Sequence, residues 1–412
     1  MREPSVAIAG CGVISAVGRG VDTLRQALKK NSSGLRSCER FNNPRFQSSI
    51  VGAALENDAD RDNPAHVLAT EALREAISSA ALEAPAPAPS LPAGFRRKEE
   101  TTGVLKSPRP SQSSLLQISP KRLGLVLSTT KANIEALERL SDGRGCSAMH
   151  LQADLLAADL AAENGARGPV QAVSVACVSG LIALMQGAKL IQRGLADAVL
   201  VVGVDHLSAF VVAGFTALKA IDPEGCRPFD RDRCGLTPGE AGAAIVLVRA
   251  DLLDKPAVKI AGWGSSNDAN HMTGPSRDGS GLAQAIRAAL DSAKLSASEI
   301  EYVNVHGTGT PYNDAMESAA LRTVFGESCP PVSGLKGMLG HTLGAAGVVE
   351  TIACVLAMQE KILPGTPRLS HSAELMPVSL LKEPRPAKEL NRVLKLNTGF
   401  GGVNGALILQ HG

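Results

Sequence analysis

Val6-Ala-Ile-Ala-Gly-Cys-Gly12 recurs as Val258-Lys-Ile-Ala-Gly-Trp-Gly264, with five of seven residues identical. Each copy is a short apolar run closing on two glycines, the pattern of a buried strand entering a turn. The copies open two parts of the chain, 1–250 and 251–412, and a duplicated β/α half explains both. Working outward, further strands are expected at Leu123–Leu127, Val173–Ala176, Val199–Val204, Ala243–Val248 and Tyr302–His306. Ala/Leu-rich helices are expected at Ala69–Ser79, Ala132–Arg139, Gly180–Gln192, Gly281–Ala293 and Gly347–Met358. Strands that are continuously apolar and alternate with helices predict an α/β fold whose sheets are covered on both faces.

Composition narrows the function. With 412 residues, 44% of them hydrophobic and 20% charged, the chain can bury an ample core and is not globally disordered. A net charge of +2 gives no field aimed at nucleic acid or anionic lipid, and 3% aromatics leave few platforms for stacking bases. The eight cysteines show no CxxC and no zinc spacing, so no metal site is expected, and scattered thiols suit a reducing, cytoplasmic compartment. The opening MREPSVAIAGCGVISAVG reads as strand and turn, not as a signal peptide, and no apolar run is expected to approach the 18 residues of a membrane span. Gly10-Cys-Gly12-Val-Ile-Ser15 approximates a dinucleotide fingerprint. The third glycine is missing, and Lys29 and Lys30 stand where an acid is needed, which excludes it. Pro85–Pro120 carries seven prolines among basic residues and is expected to be an inserted loop within the first half.

Four segments can carry chemistry. Gln171-Ala-Val-Ser-Val-Ala-Cys177-Val-Ser-Gly180 reads as a buried strand meeting a helix whose Leu181, Leu184, Met185, Ala188 and Ile191 share one face. A cysteine at a helix N-terminus is favoured as thiolate, so Cys177 is either a nucleophile or an inert buried thiol. Tyr302-Val-Asn-Val-His306-Gly-Thr-Gly-Thr-Pro311 ends a strand on a histidine, followed by a turn open to substrate and then by Asp314 and Glu317. A strand-end histidine bonded to a backbone carbonyl is the plainer alternative. Gly334-Leu-Lys336-Gly-Met-Leu-Gly-His341 places a lysine and a histidine in a glycine-rich loop that lacks the P-loop order. Asn397-Thr-Gly-Phe400-Gly-Gly-Val-Asn404 offers backbone N–H groups in a turn.

In this order, with one cysteine and two histidines, the four segments resemble the β-ketoacyl-acyl carrier protein synthases that elongate fatty acids and polyketides. CRPFDRDRCGLTPGEAGA (from Cys226) and SNDANHMTGPSRDG (from Ser266) are similar as well. The resemblance implies a thiolase fold, two βαβ-based halves in five α/β layers, with Cys177 in the first half and both histidines in the second. It implies a decarboxylative condensation between an acyl chain on Cys177 and a malonyl group on an acyl carrier protein. His306 and His341 would stabilise the enolate, and Lys336, with Glu317 as its salt partner, would organise the site with Asp314. Thr308, Thr310 and Thr273 would contact the phosphopantetheine arm. Phe400 would gate the acyl pocket and share the second oxyanion hole with the N–H of Cys177. The phosphopantetheine belongs to the carrier protein, so no cofactor is implied; the partners are that carrier and a second subunit, in a homodimer or a heterodimer with a ketosynthase-like chain. Ser128-Thr-Thr-Lys-Ala-Asn-Ile and Ser266-Asn-Asp-Ala-Asn-His resemble the branch that serves bacterial aryl-polyene or flexirubin-type pigments.

The departures are local. Many members carry Asn-Ser-Phe where Leu396-Asn397-Thr398 stands here, which predicts a wider or more polar pocket mouth, and Tyr312-Asn313-Asp314 replaces a small residue-Gly-Asp. Two histidines argue against a thiolase, which needs a second cysteine, and against a starter synthase, which pairs its cysteine with one histidine and an asparagine. Cys177 argues against a non-catalytic chain-length subunit.

Overall fold

A computed structural model describes residues 4–55, 63–80, 117–143, 151–254, 257–373 and 379–412. Residues 85–116 of the proline-rich stretch therefore lie outside the described residues.

Ten strands carry the architecture: β1 (Val6–Ser15), β2 (Leu123–Ser128), β3 (Val170–Val173), β4 (Ala198–Asp205), β5 (Ala241–Arg249), β6 (Val258–Asn267), β7 (Tyr302–Asn304), β8 (Val332–Ser333), β9 (Arg392–Thr398) and β10 (Val403–His411). Their spatial order is β8-β7-β9-β10-β6 followed by β1-β5-β4-β2-β3. Read from the edges inward, both quintets have the same directions. The outer two pairings are parallel and the next two antiparallel. The quintets meet where Val6 pairs with Ile260 and Ala7 with Lys259.

Seven helices of ten residues or more lie among the described residues: α1 (Val21–Lys30), α2 (Pro64–Ser79), α3 (Ala153–Glu163), α4 (Ser179–Gln192), α5 (Ser280–Ala293), α6 (Pro311–Phe325) and α7 (Ala346–Glu360). α4 and α7 form the middle layer. Val199 and Val201 of β4 face that layer, whereas Leu200, Val202 and Val204 face the outer core with α2 and α3. On the other side Val393 and Leu407 face inward, and Leu394, Leu396 and Ile408 pack outward with α5 and α6. Alternate residues of one strand thus enter two cores, which is why the strands read as continuously apolar. This is the five-layered thiolase arrangement.

The repeated heptapeptide is a packing device. In both copies the register slips beside the first glycine: Ile8 faces Leu247 and Gly10 faces Val246, as Ile260 faces Leu409 and Gly262 faces Ile408. A Cβ on Gly10 would stand 2.2 Å from Ala76 O, and one on Gly12 2.1 Å from Ala72 O. In the second copy a Cβ on Gly262 would meet Ala293 N at 2.5 Å, and one on Gly264 Ala285 O at 2.2 Å. The glycines let an alanine face of α2 or α5 lie directly on the strand.

Three expectations need correction. The strand before Cys177 ends at Val173 and is not buried: it is a sheet edge whose first three residues are exposed. The helix expected from Ala132 starts at Glu135, because Ala132 is left-handed at φ 45°. Leu343–Glu360 is long and apolar enough to cross a membrane, contrary to the expectation, and 89% of it is buried inside the protein.

Candidate active site

Cys177, His306 and His341 come together from three loops. Cys177 follows β3 and lies just ahead of α4; His306 follows β7 and His341 precedes α7. His341 Nε2 lies 3.0 Å from Cys177 Sγ, and the two imidazoles stand 5.1 Å apart, edge to face. The backbone N–H of Leu343 donates to His341 Nδ1 at 3.3 Å, so the ring proton sits on Nε2, facing the sulfur. Two non-glycine residues are left-handed here, Ala176 (φ 46°) beside Cys177 and Leu343 (φ 50°). Such backbone persists only where its surroundings enforce it. Ser179 does so for the first, its Oγ accepting from Val175 N at 2.7 Å and donating to Ala176 O at 2.6 Å.

Electrostatics decide the protonation states. Burial pushes the Cys177 thiol up to about 11; Lys336 and the backbone N–H groups of Phe400 and Cys177 itself pull the other way. The expected helix-end thiolate is therefore outweighed by desolvation, and the resting sulfur is a thiol at neutral pH. Burial, reinforced by Lys336 and Lys395, holds both histidines well below their ordinary 6.5. Both are neutral N–H donors at pH 7. Cys177, His306 and His341 each bring a ligand atom within 4.8 Å of the others, a set that suits zinc, but two buried ammonium groups oppose a dication there.

Lys336 donates to the carbonyl oxygen of His306 at 2.6 Å and pairs with Glu350 Oε1 at 2.6 Å. Glu350 is its salt partner, not Glu317. The Glu317 carboxylate is taken by the backbone N–H groups of His306 (2.6 Å) and Gly307 (2.7 Å), which fixes the turn after β7. Burial and nearby Asp314 raise Glu317 to about 7. Asp314 receives Phe229 N at 2.7 Å and faces Arg233 at 3.5 Å.

Sequence reasoning missed Lys395 and Asp205. Lys395, wholly buried on β9, pairs with the other oxygen of Glu350 at 2.6 Å. Asp205, at the end of β4, collects Thr129 and Thr130 hydroxyls, the Lys131 ammonium (2.9 Å) and Gly344 N (2.6 Å), tying the first half to the loop that follows His341. A lone charge inside an apolar run was the available signal for both.

A cavity of ≈ 540 Å³ opens onto the cysteine and both histidines. Thr308, Thr310, Thr273 and Phe400 all line it; Thr308 and Thr310 share a 2.8 Å hydroxyl contact, and the Phe400 ring lies 6.2 Å from that of Phe215. Thr398 also lines it, turned by a 2.7 Å bond to Asn313 Oδ1, so the wall is polar at that point.

The family description "Beta-ketoacyl synthase, N-terminal domain" matches residues 3–252, and "Beta-ketoacyl synthase, C-terminal domain" matches residues 257–370. The chain is 32% identical to a putative polyketide beta-ketoacyl synthase 1 of Streptomyces halstedii, over 98% of this chain and 97% of the other. It is 30% identical to a 3-oxoacyl-acyl-carrier-protein synthase 2 of Vibrio cholerae over the full length of both. Among solved structures, a ketosynthase of Xenorhabdus doucetiae in complex with its chain length factor superposes with a TM-score of 0.82, at 28% identity, over 99% and 98% of the two chains. The chain belongs to the β-ketoacyl synthase family.

Proposed function

We propose that the protein is an acyltransferase that condenses an acyl chain held on Cys177 with a malonyl group presented by an acyl carrier protein, giving a β-ketoacyl product. The carrying observation is a buried thiol 3.0 Å from an imidazole N–H, beside a second neutral histidine, at the floor of one cavity.

Cys177 takes the acyl group from its carrier thioester, and the thiol proton leaves on the carrier sulfur. Malonyl thioester follows, loses CO2, and leaves an enolate whose oxygen accepts from His306 and His341. Neutral donors suit this step, since each keeps its proton while charge develops on the substrate. The enolate carbon attacks the acyl-cysteine, a carbon–carbon bond forms, the carbon–sulfur bond breaks, and the departing Cys177 thiolate takes up a proton from water. The N–H groups of Cys177 and Phe400 hold the acyl oxygen in that step. Thr308, Thr310 and Thr273 contact the incoming arm, and Lys336 with Glu350 holds His306 in place.

The partners are an acyl carrier protein and a second subunit of the same fold, identical or ketosynthase-like. Edge strand β3, exposed beside the Cys177 loop, offers the unpaired backbone for that association. The product belongs to fatty-acid or polyketide synthesis, in the aryl-polyene branch. A cytosolic setting is supported by the seven cysteines among the described residues, all free thiols.

Mass spectrometry after incubation with an acyl carrier thioester tests the reading. One acyl mass is expected on the Cys177 peptide and none on Cys177→Ala protein. His306→Ala and His341→Ala should each slow malonyl decarboxylation by roughly a hundred- to a thousand-fold. Acylation that survives in Cys177→Ala protein would move the chemistry elsewhere.

A further inference from the structure

We infer that Asn397 is a positioning residue for His306: its side-chain amide donates to Nδ1 of the ring and so keeps the proton on Nε2, the nitrogen left for the cavity. This rests on the reading of His306 as a donor to the enolate oxygen.

The two histidines are held by different means. His341 receives a main-chain N–H, from Leu343, a donor that no substitution short of proline removes. His306 receives its Nδ1 contact from a side chain, Asn397 Nδ2 at 2.9 Å. The sheet register produces the pairing: Asn304 on β7 pairs with Lys395 on β9, and two residues further along each strand His306 stands beside Asn397.

Both flanks of Asn397 are pinned. Lys395 donates to Leu396 O at 2.5 Å and pairs with Glu350. Thr398 donates to Asn313 Oδ1, Asn313 donates to Glu317 at 2.8 Å, and Glu317 holds the backbone N–H groups of His306 and Gly307. The strand end beside His306 and the turn that carries it therefore form one closed network.

Asn397 itself adds little to the fold. Its Oδ1 is buried without a hydrogen-bond partner, an arrangement that costs stability. A buried amide with one satisfied end, and that end on an imidazole nitrogen, is explained by the imidazole. The departure Leu396-Asn397-Thr398 from Asn-Ser-Phe thus has a consequence besides pocket width. A donor of amide length stands where a serine is common, and the proton on His306 is set by it.

The decisive variant is Asn397→Asp, nearly the same shape but an acceptor only. The ring proton then moves to Nδ1, and Nε2 turns from donor to acceptor. The expected result is a fall of about 100-fold in kcat for malonyl-carrier decarboxylation, with KM little changed. Acylation of Cys177, which does not use His306, stays within about threefold of the parent. A merely structural role would depress both half-reactions together, and that outcome, like unchanged decarboxylation, overturns the inference. Nitrogen-15 spectra of histidine-labelled parent protein supply a test that needs no variant: the His306 proton is expected on Nε2, and a proton on Nδ1 refutes the inference even if Asn397→Asp fails to fold. His306→Ala separates the two levels. If it leaves decarboxylation intact, the enolate reading falls; if it abolishes decarboxylation and Asn397→Asp does not, only the role of Asn397 falls.

Discussion

The two sheets have the same strand order, the same register slip and the same glycine seat for an outer helix, yet they hold different things. The first delivers one sulfur to the site; the second delivers both imidazoles and the Lys336–Glu350–Lys395 cluster. Each half also buries a carboxylate that collects donors, Asp205 in the first and Glu350 in the second. Asp205 gathers hydroxyls, backbone N–H groups and one lysine, whereas Glu350 sits between two lysines. The scaffold is repeated and the electrostatics are not. Among the described residues, two lysines share one carboxylate only around Glu350, and both help to keep the two histidines neutral.

That contrast can be broken at the carboxylates. Glu350→Gln leaves two buried ammonium groups facing each other, and a loss of about 3–5 kcal/mol is expected in urea unfolding. Asp205→Asn strands only Lys131 and keeps an oxygen for Thr129 and Thr130, so it should cost clearly less. Equal losses would mean that the two clusters do the same job.

Acid should act on the second half next. His306 and His341 have folded pKa values below their ordinary 6.5, so their contribution is complete above pH 6.5. It is lost as pH falls from 6.5 toward the folded values, because the unfolded chain then binds more protons. Each histidine contributes up to about 1.4 kcal/mol per pH unit across that window. Unfolding free energies at pH 7 and 5.5 should differ accordingly, and replacing both histidines with glutamine should flatten the slope. A slope untouched by the replacement assigns the acid sensitivity to other groups.

The repeated heptapeptide sharpens the likeness between halves instead. Gly12→Ala and Gly264→Ala should each cost about 1–3 kcal/mol by overpacking against a helix backbone, and by similar amounts. A much smaller loss in one copy would show that its helix can retreat and that the equivalence is only nominal. The smallest effect belongs to Thr398→Val, which removes one hydroxyl bond to Asn313 at about 1 kcal/mol. Its use is to test whether a polar wall affects acyl preference, by competing saturated against 2,4-dienoyl carrier substrates of equal length.

Much of this was legible in the residues. Cys177, His306 and His341 each stand where an apolar run breaks into glycine-rich sequence, and the paired heptapeptides announced the duplication. What failed was pairing over distance. The resemblance pairs Glu317 with Lys336, but the backbone N–H groups of His306 and Gly307 claim that carboxylate, and the true partner is Glu350 on α7. Lys395 stands alone in Val-Leu-Lys-Leu, and nothing local says that Glu350 waits beneath it. The exposure of β3 was equally hidden, since an edge strand and a central strand share the same apolar composition.

The placement of β10 bears on how the chain is made. Residues 403–411 are made after the strands on either side of them, yet β10 lies between β9 and β6, inside its sheet and not at the rim. Without it, the strand pairing of β6 is reduced to the two residues it shares with β1, although α5 still packs on its face. Closing the second half therefore depends on a long-range pairing of residues 258–267 with 403–411, the kind of contact that slows folding. Leu407 and Leu409 of β10 then complete the apolar core that α7 shares with the first half.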